Sequence, residues 1–120
     1  MTKIQNHKQL IVWRKSFDLV KLVYQETKKF PKSEIFGMVS QTRRSAVSIP
    51  SNIAEGYCRR NKLEYIHFLR ISLASAAELE TQILLAKELG FIDPKKAKDI
   101  LLLLEEILKM LNSLITRLKN

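Results

Sequence analysis

Between Val39 and Arg60 the chain reads VSQTRRSAVSIPSNIAEGYCRR, and within it Gln41, Arg44, Ser48, Asn52 and Glu55 recur at intervals of three and four. That spacing stacks an amide, a guanidinium, a hydroxyl, a second amide and a carboxylate along one helical face. Such a row can bind a polar ligand or hold a helix in register against its neighbour. Pro50 interrupts it, removing the amide that would bond the Ala46 carbonyl and bending the helix. Ser48, Ser51 and Asn52 are types that satisfy freed backbone groups, so a continuous but kinked helix is expected. Further on, Ser72, Ala74, Ser75, Ala76 and Ala77 form a run of small residues that lets another helix approach, followed by Glu78. The pattern predicts a seam of Gln41, Arg44, Ser48, Asn52, Glu55, Ser75 and Glu78, with Arg44 or Arg43 paired to Glu78. Networks of this kind more often specify register than do chemistry.

Catalytic constellations are missing. The glycines, Gly37, Gly56 and Gly90, are isolated, so no loop of the phosphate-cradling type exists. Glu64 and His67 make a single E-x-x-H, whereas a di-iron bundle needs two such pairs and two further carboxylates. Cys58 beside Arg59 is the one candidate nucleophile, and His7, in the leading tail, is not placed by the sequence as its base. The expectation is a protein that is not an enzyme and has no metal or cofactor.

The elements that position the polar row are helices. Leu10, Trp13, Phe17, Val20 and Tyr24 recur at three and four, Phe30-Pro31 stops the run, and Ser33 with Glu34 resembles the next start. Asn61 with Glu64 is a capping-box start, Gly90 a left-handed stop, and Asp93-Pro94 an N-cap followed by proline in the first turn. Helices are expected over residues 8–29, 33–58, 62–89 and 94–118, after a polar tail or lead-in at Met1 to His7. With short connections they form an all-α, antiparallel, up-down-up-down four-helix bundle, a single domain over residues 1–120.

Two helices have more apolar surface than one core needs. In the last, Ala97, Leu101, Leu104, Leu108, Leu111, Ile115 and Leu118 make a core line, and Ile100, Leu103, Ile107, Met110 and Leu114 a second line beside it. Together they span roughly 200°, about twice the usual stripe. The first helix repeats this, with Val12, Leu19 and Val23 beside the aromatic line. A homo-oligomer using both second lines as its interface is expected.

The formal charge of +9, with 21 Lys and Arg among 120 residues, favours a polyanionic partner. Most of the excess lies in the first helix and the Arg59-Arg60 turn, so Lys8, Arg14, Lys15, Lys21, Lys28, Lys29, Arg59 and Arg60 are the candidate phosphate contacts. The bland reading is that Lys3, Lys8, Lys15, Lys21, Lys28, Lys29 and Lys32 keep an apolar-rich helix in solution. Basic residues do not interleave with aromatic ones along the chain, so sequence-specific single-strand readout is not expected. A lone cysteine, no evident signal peptide and no apolar run of spanning length point to the cytoplasm and away from a membrane.

Trp13-Arg14-Lys15, Phe30-Pro31 with Glu34, SQTRRSAVSIPSNIAEG from Ser40 to Gly56, Phe68-Leu69, and Ser75 with ELET from Glu78 to Thr81 resemble the bacterial four helix bundle protein family. That family was first noticed as products of reading frames in intervening sequences of large-subunit ribosomal RNA genes. The resemblance covers nearly the whole chain and implies a pentameric, barrel-like ring. A related member, the accessory variability protein of diversity-generating retroelements, binds a reverse transcriptase and nucleic acid through a basic surface. Ala74 departs from the pattern, where many members have glycine before the serine. Two functions follow: a nucleic-acid-binding accessory protein, RNA foremost, or a scaffold that docks an acidic or nucleic-acid-loaded protein such as a reverse transcriptase.

Overall fold

In the computed structural model, which describes residues 5–120, the chain is a bundle of four helices: α1 (Ile11–Thr27), α2 (Ser40–Cys58), α3 (Lys62–Glu88) and α4 (Pro94–Lys119). Each helix packs against its chain neighbours and α1 also packs against α4, which closes the bundle. It measures 45 × 25 × 21 Å. Short connections make successive helices antiparallel. The C-termini of α2 and α4 therefore share one end with the N-termini of α1 and α3. Lys3 lies outside the described residues.

The caps explain the connections. Asn61 accepts from the Glu64 amide at the start of α3, and Asp93 accepts from the Lys96 amide at the start of α4. Gly90, at φ 76°, ends α3 in the left-handed region, where a side chain would be strained. The lead-in is a 3₁₀ turn at His7–Gln9 in which the Lys8 amide donates to the Asn6 side chain, and α1 proper begins at Ile11 rather than Lys8.

Helix two does not start at Ser33. Ser33 lies in a 3₁₀ turn at Lys32–Glu34, a π-helical turn follows at Ile35–Val39, and α2 begins at Ser40. The physical reason is Gly37, whose backbone (φ −108°, ψ −109°) is not helical, while the Glu34 carboxylate accepts from the Met38 amide. From Ser40 the helix is continuous through Pro50, as expected.

The core corrects the reading of faces. Val12, Leu19 and Val23 are buried in the single chain, as are Ile100 and Ile107, so they are core and not an interface with a second copy. Leu103, Met110 and Leu114 are half-buried shoulders of the same core. On α4 the buried line is Ala97, Ile100, Leu104, Ile107, Leu111 and Ile115, which draws on both expected lines because the centre of the face runs between them. On α1 the two lines exchange roles. Ser16 is fully buried and completes the line Val12, Ser16, Leu19, Val23, its hydroxyl donating to the Trp13 carbonyl at 2.8 Å. A polar type thus hid the core line, while the unbroken aromatic line lies at its margin: Leu10, Trp13 and Val20 are half-buried, Phe17 is 48% exposed and Tyr24 38%.

Candidate functional site

Charge gathers at the end of the bundle that holds the C-termini of α2 and α4. Lys8 and Arg14 arrive from the start of the chain, Arg59, Arg60 and Lys62 from the α2–α3 connection, and Arg117 and Lys119 from the last turn of α4. Of the carboxylates there, Glu55 and Glu64 are both engaged by Arg59, at 3.0 and 3.6 Å, and Asp18 lines a small cleft beside Arg14. Lys8, Arg14, Arg60, Lys62, Arg117 and Lys119 are exposed and make no ion pair among the described residues.

A cleft of about 300 Å³ opens within this end, lined by Gly56, Tyr57, Arg60, Asn61, Lys62 and Tyr65. The tyrosine rings are half-buried and perpendicular, 5.9 Å apart at an interplanar angle of 87°. Arg60 holds a left-handed backbone (φ 55°), which reverses the chain between the helices and costs roughly 1–2 kcal/mol in a residue with a Cβ. Gly56 permits the close approach of α2 to α3: a Cβ there would meet Phe68 Cβ at 2.8 Å and the Tyr65 ring at 3.1 Å. Burial pushes the Tyr65 hydroxyl up to about 12, the neighbouring Tyr57 adds to the rise, and the Arg117 charge opposes it.

The candidate phosphate contacts do not form one patch. Helix α1 has 17 residues, so its ends lie about 25 Å apart at 1.5 Å per residue. Lys8 and Arg14 join Arg59 and Arg60, whereas Lys28 and Lys29 lie at the opposite end with Lys32 and Arg43, and Lys21 sits midway. Lys15 pairs with Glu106 at 2.8 Å and Lys29 with Glu26 at 3.3 Å. Lys62, Arg117, Lys119 and the two tyrosines were not among the candidates. The topology that brings three helix ends together, combined with the residue types at those ends, carries the missing signal.

The polar seam is shorter than expected. Ser48 and Ser75 hydroxyls lie 2.8 Å apart, and Asn52 Nδ2 donates to the Ser48 hydroxyl at 2.9 Å and to its carbonyl at 2.8 Å. Ser72, fully buried, donates to the Ile49 carbonyl at 2.9 Å, just before Pro50. Gln41, Arg44 and Glu78 are exposed, and neither Arg43 nor Arg44 pairs with Glu78. Arg43 instead turns to α1, donating to Thr27 Oγ1 at 2.8 Å and lying 4.4 Å from the centre of the Tyr24 ring. Glu55 belongs to the charged end through Arg59. Ala74 is exposed, so it takes no part in the α2–α3 contact.

Contrary to the sequence expectation, a histidine does reach Cys58: His7 Nδ1 lies 4.0 Å from its sulfur. The contact is exposed and at the outer limit for sulfur, and the other neighbour of His7 is the Trp13 ring, edge-on at 5.2 Å. Among the described residues, no hydrogen-bond partner orients the His7 ring as a catalytic pair requires. Glu64 and His67 are both exposed, and among the described residues no cluster of His, Cys, Asp or Glu is suited to a metal ion. No described helix is long and apolar enough to cross a membrane.

No curated protein matches the chain. A crystal structure at 1.70 Å of a protein of unknown function from the S23 ribosomal protein family, from Bacteroides thetaiotaomicron, shares its fold with a TM-score of 0.79. The two are 28% identical, over 88% of this chain and 98% of that one. Residues 8–113 match the family described as 23S rRNA-intervening sequence protein, and with the bundle, its caps and its α2–α3 seam in place, the chain belongs to that family.

Proposed function

We propose that the protein is a non-enzymatic, self-associating helical bundle that binds nucleic acid, RNA foremost, as a cytoplasmic accessory factor. The observation that carries this reading is the positive charge at one end, where Arg59 engages Glu55 and Glu64 while Arg60, Lys62, Arg117 and Lys119 make no ion pair among the described residues and attract phosphate. The overall charge of +9 supports it, as does a family named for an RNA segment.

Self-association is supported by an apolar groove between α1 and α2, lined by Trp13, Phe17, Val20, Val47, Pro50 and Ala54. It replaces the second lines as the candidate interface. A ring, pentameric by family resemblance, would repeat the basic end around one rim and raise its affinity for an extended polyanion.

The second reading is a scaffold that docks an acidic or nucleic-acid-loaded partner protein, such as a reverse transcriptase, and the same groove favours it. Binding of random RNA by the purified protein across a salt series separates the two. Affinity that falls steeply with salt supports the first reading. No RNA binding at low salt, with salt-insensitive capture of one protein, supports the second.

A further inference from the structure

The basic end holds more than charge. Resting on the reading that this end binds nucleic acid, we infer that the Tyr57–Tyr65 cleft is a site for one unpaired nucleotide of a single strand, its base against the tyrosines and its phosphate held by Arg60 and Lys62.

The geometry supplies both halves of such a ligand. The two rings touch each other edge to face, so a base does not enter between them; it packs against the side of the pair that lines the cleft, where both half-buried rings leave aromatic surface open. Base stacking on aromatic side chains is the usual source of single-strand affinity, and it is tolerant of sequence because every base has a π-face. The cleft volume of about 300 Å³ stands at the lower end of sites for small organic ligands, enough for one nucleotide and not for a duplex edge. The Arg60 and Lys62 side chains at the mouth are exposed and without ion-pair partners among the described residues. Asn61, whose carboxamide oxygen caps α3, lines the same cleft, and its amide nitrogen is a donor type that a base or phosphate can accept from.

Several features hold the cleft open. Gly56 lets α2 and α3 meet closely beneath it, and the left-handed Arg60 turns the chain so that Lys62 starts α3 at the cleft mouth.

The test compares the full chain with its Tyr57→Leu, Tyr57→Phe and Lys62→Glu variants, each checked for folding by circular dichroism. Ligands are an unstructured RNA oligonucleotide and an RNA duplex of matched length at one fixed ionic strength. Tyr57→Leu is expected to lose roughly ten-fold in affinity for the single strand and none for the duplex. Tyr57→Phe keeps wild-type affinity for both, and Lys62→Glu weakens both. If Tyr57→Leu leaves single-strand affinity unchanged, or lowers both affinities equally, the cleft is not a nucleotide site, although the charged end still binds. If the wild type binds neither ligand, the reading on which the cleft rests has failed as well.

Discussion

The hydroxyl of Ser48 on α2 lies 2.8 Å from that of Ser75 on α3, and Asn52 donates to both the hydroxyl and the carbonyl of Ser48. A chain of hydrogen bonds in a half-buried crevice ties together the two helices that meet most closely. A double-mutant cycle of Ser48→Ala and Ser75→Ala in urea is expected to give a coupling of about 1 kcal/mol. Asn52→Leu, which removes both donors, should cost more than either serine change. A coupling near zero would show that the contact sets no register.

Gly56→Ala opposes two effects on the same helix. Alanine gains up to about 1 kcal/mol in helix propensity over glycine. Its methyl would sit 2.8 Å from Phe68 Cβ and 3.2 Å from the Tyr65 carbonyl, and neither atom is the free end of a flexible chain. Overpacking of this kind costs about 1–3 kcal/mol. The expected outcome is a lower melting temperature; a higher one would mean that α2 and α3 separate easily.

Adjacent arginines should behave differently. Arg43 donates to Thr27 and stacks over Tyr24, so Arg43→Ala is expected to cost about 1–2 kcal/mol in urea unfolding. Arg44 is exposed and unpaired among the described residues, so Arg44→Leu should stay within about 0.5 kcal/mol. Equal costs would restore Arg44 to the seam.

Tyr65 links the charged end to stability at high pH. Its folded pKa is raised from 10.0 to about 12, so over that interval the folded chain holds a proton that the unfolded chain releases. Stability therefore falls as pH rises from 10 towards 12 and is unaffected well below 10. A phenolate absorbance titration should show one of the three tyrosines ionising late. All three titrating together would contradict the burial of Tyr65.

Helix number, type and most ends were legible because apolar spacing and capping residues are local signals, Asn61, Gly90 and Asp93 among them. The choice between two adjacent apolar lines was not. Buried Ser16 broke the true core line of α1, while Trp13, Phe17, Val20 and Tyr24 formed an unbroken one at its margin, with Trp13 and Val20 half-buried and Phe17 and Tyr24 exposed. Of the polar row, Ser48 and Asn52 were legible with their partner Ser75, since short polar side chains facing small residues form bonds at close helix contact. Arg44 was misplaced because a helical period does not say which edge of a stripe faces a neighbour. The cleft was missed for a different reason: all its lining residues lie between Gly56 and Tyr65, but the left-handed turn at Arg60 that folds them around one opening does not show in residue types, and the Arg117 charge reaches Tyr65 only through the antiparallel packing.

The most direct test reverses charge at either end of the bundle. Arg60→Glu, Lys62→Glu and Arg117→Glu together change the basic end; Lys28→Glu and Lys32→Glu change the opposite one. Affinity for RNA is measured against salt for both variants, with the oligomeric state checked by light scattering. The basic-end variant is expected to lose at least ten-fold and to show a salt slope shallower by about two, while the opposite-end variant binds as the wild type does. Equal losses from the two ends, or unchanged binding when the basic end is reversed, would contradict the assignment of the nucleic-acid surface.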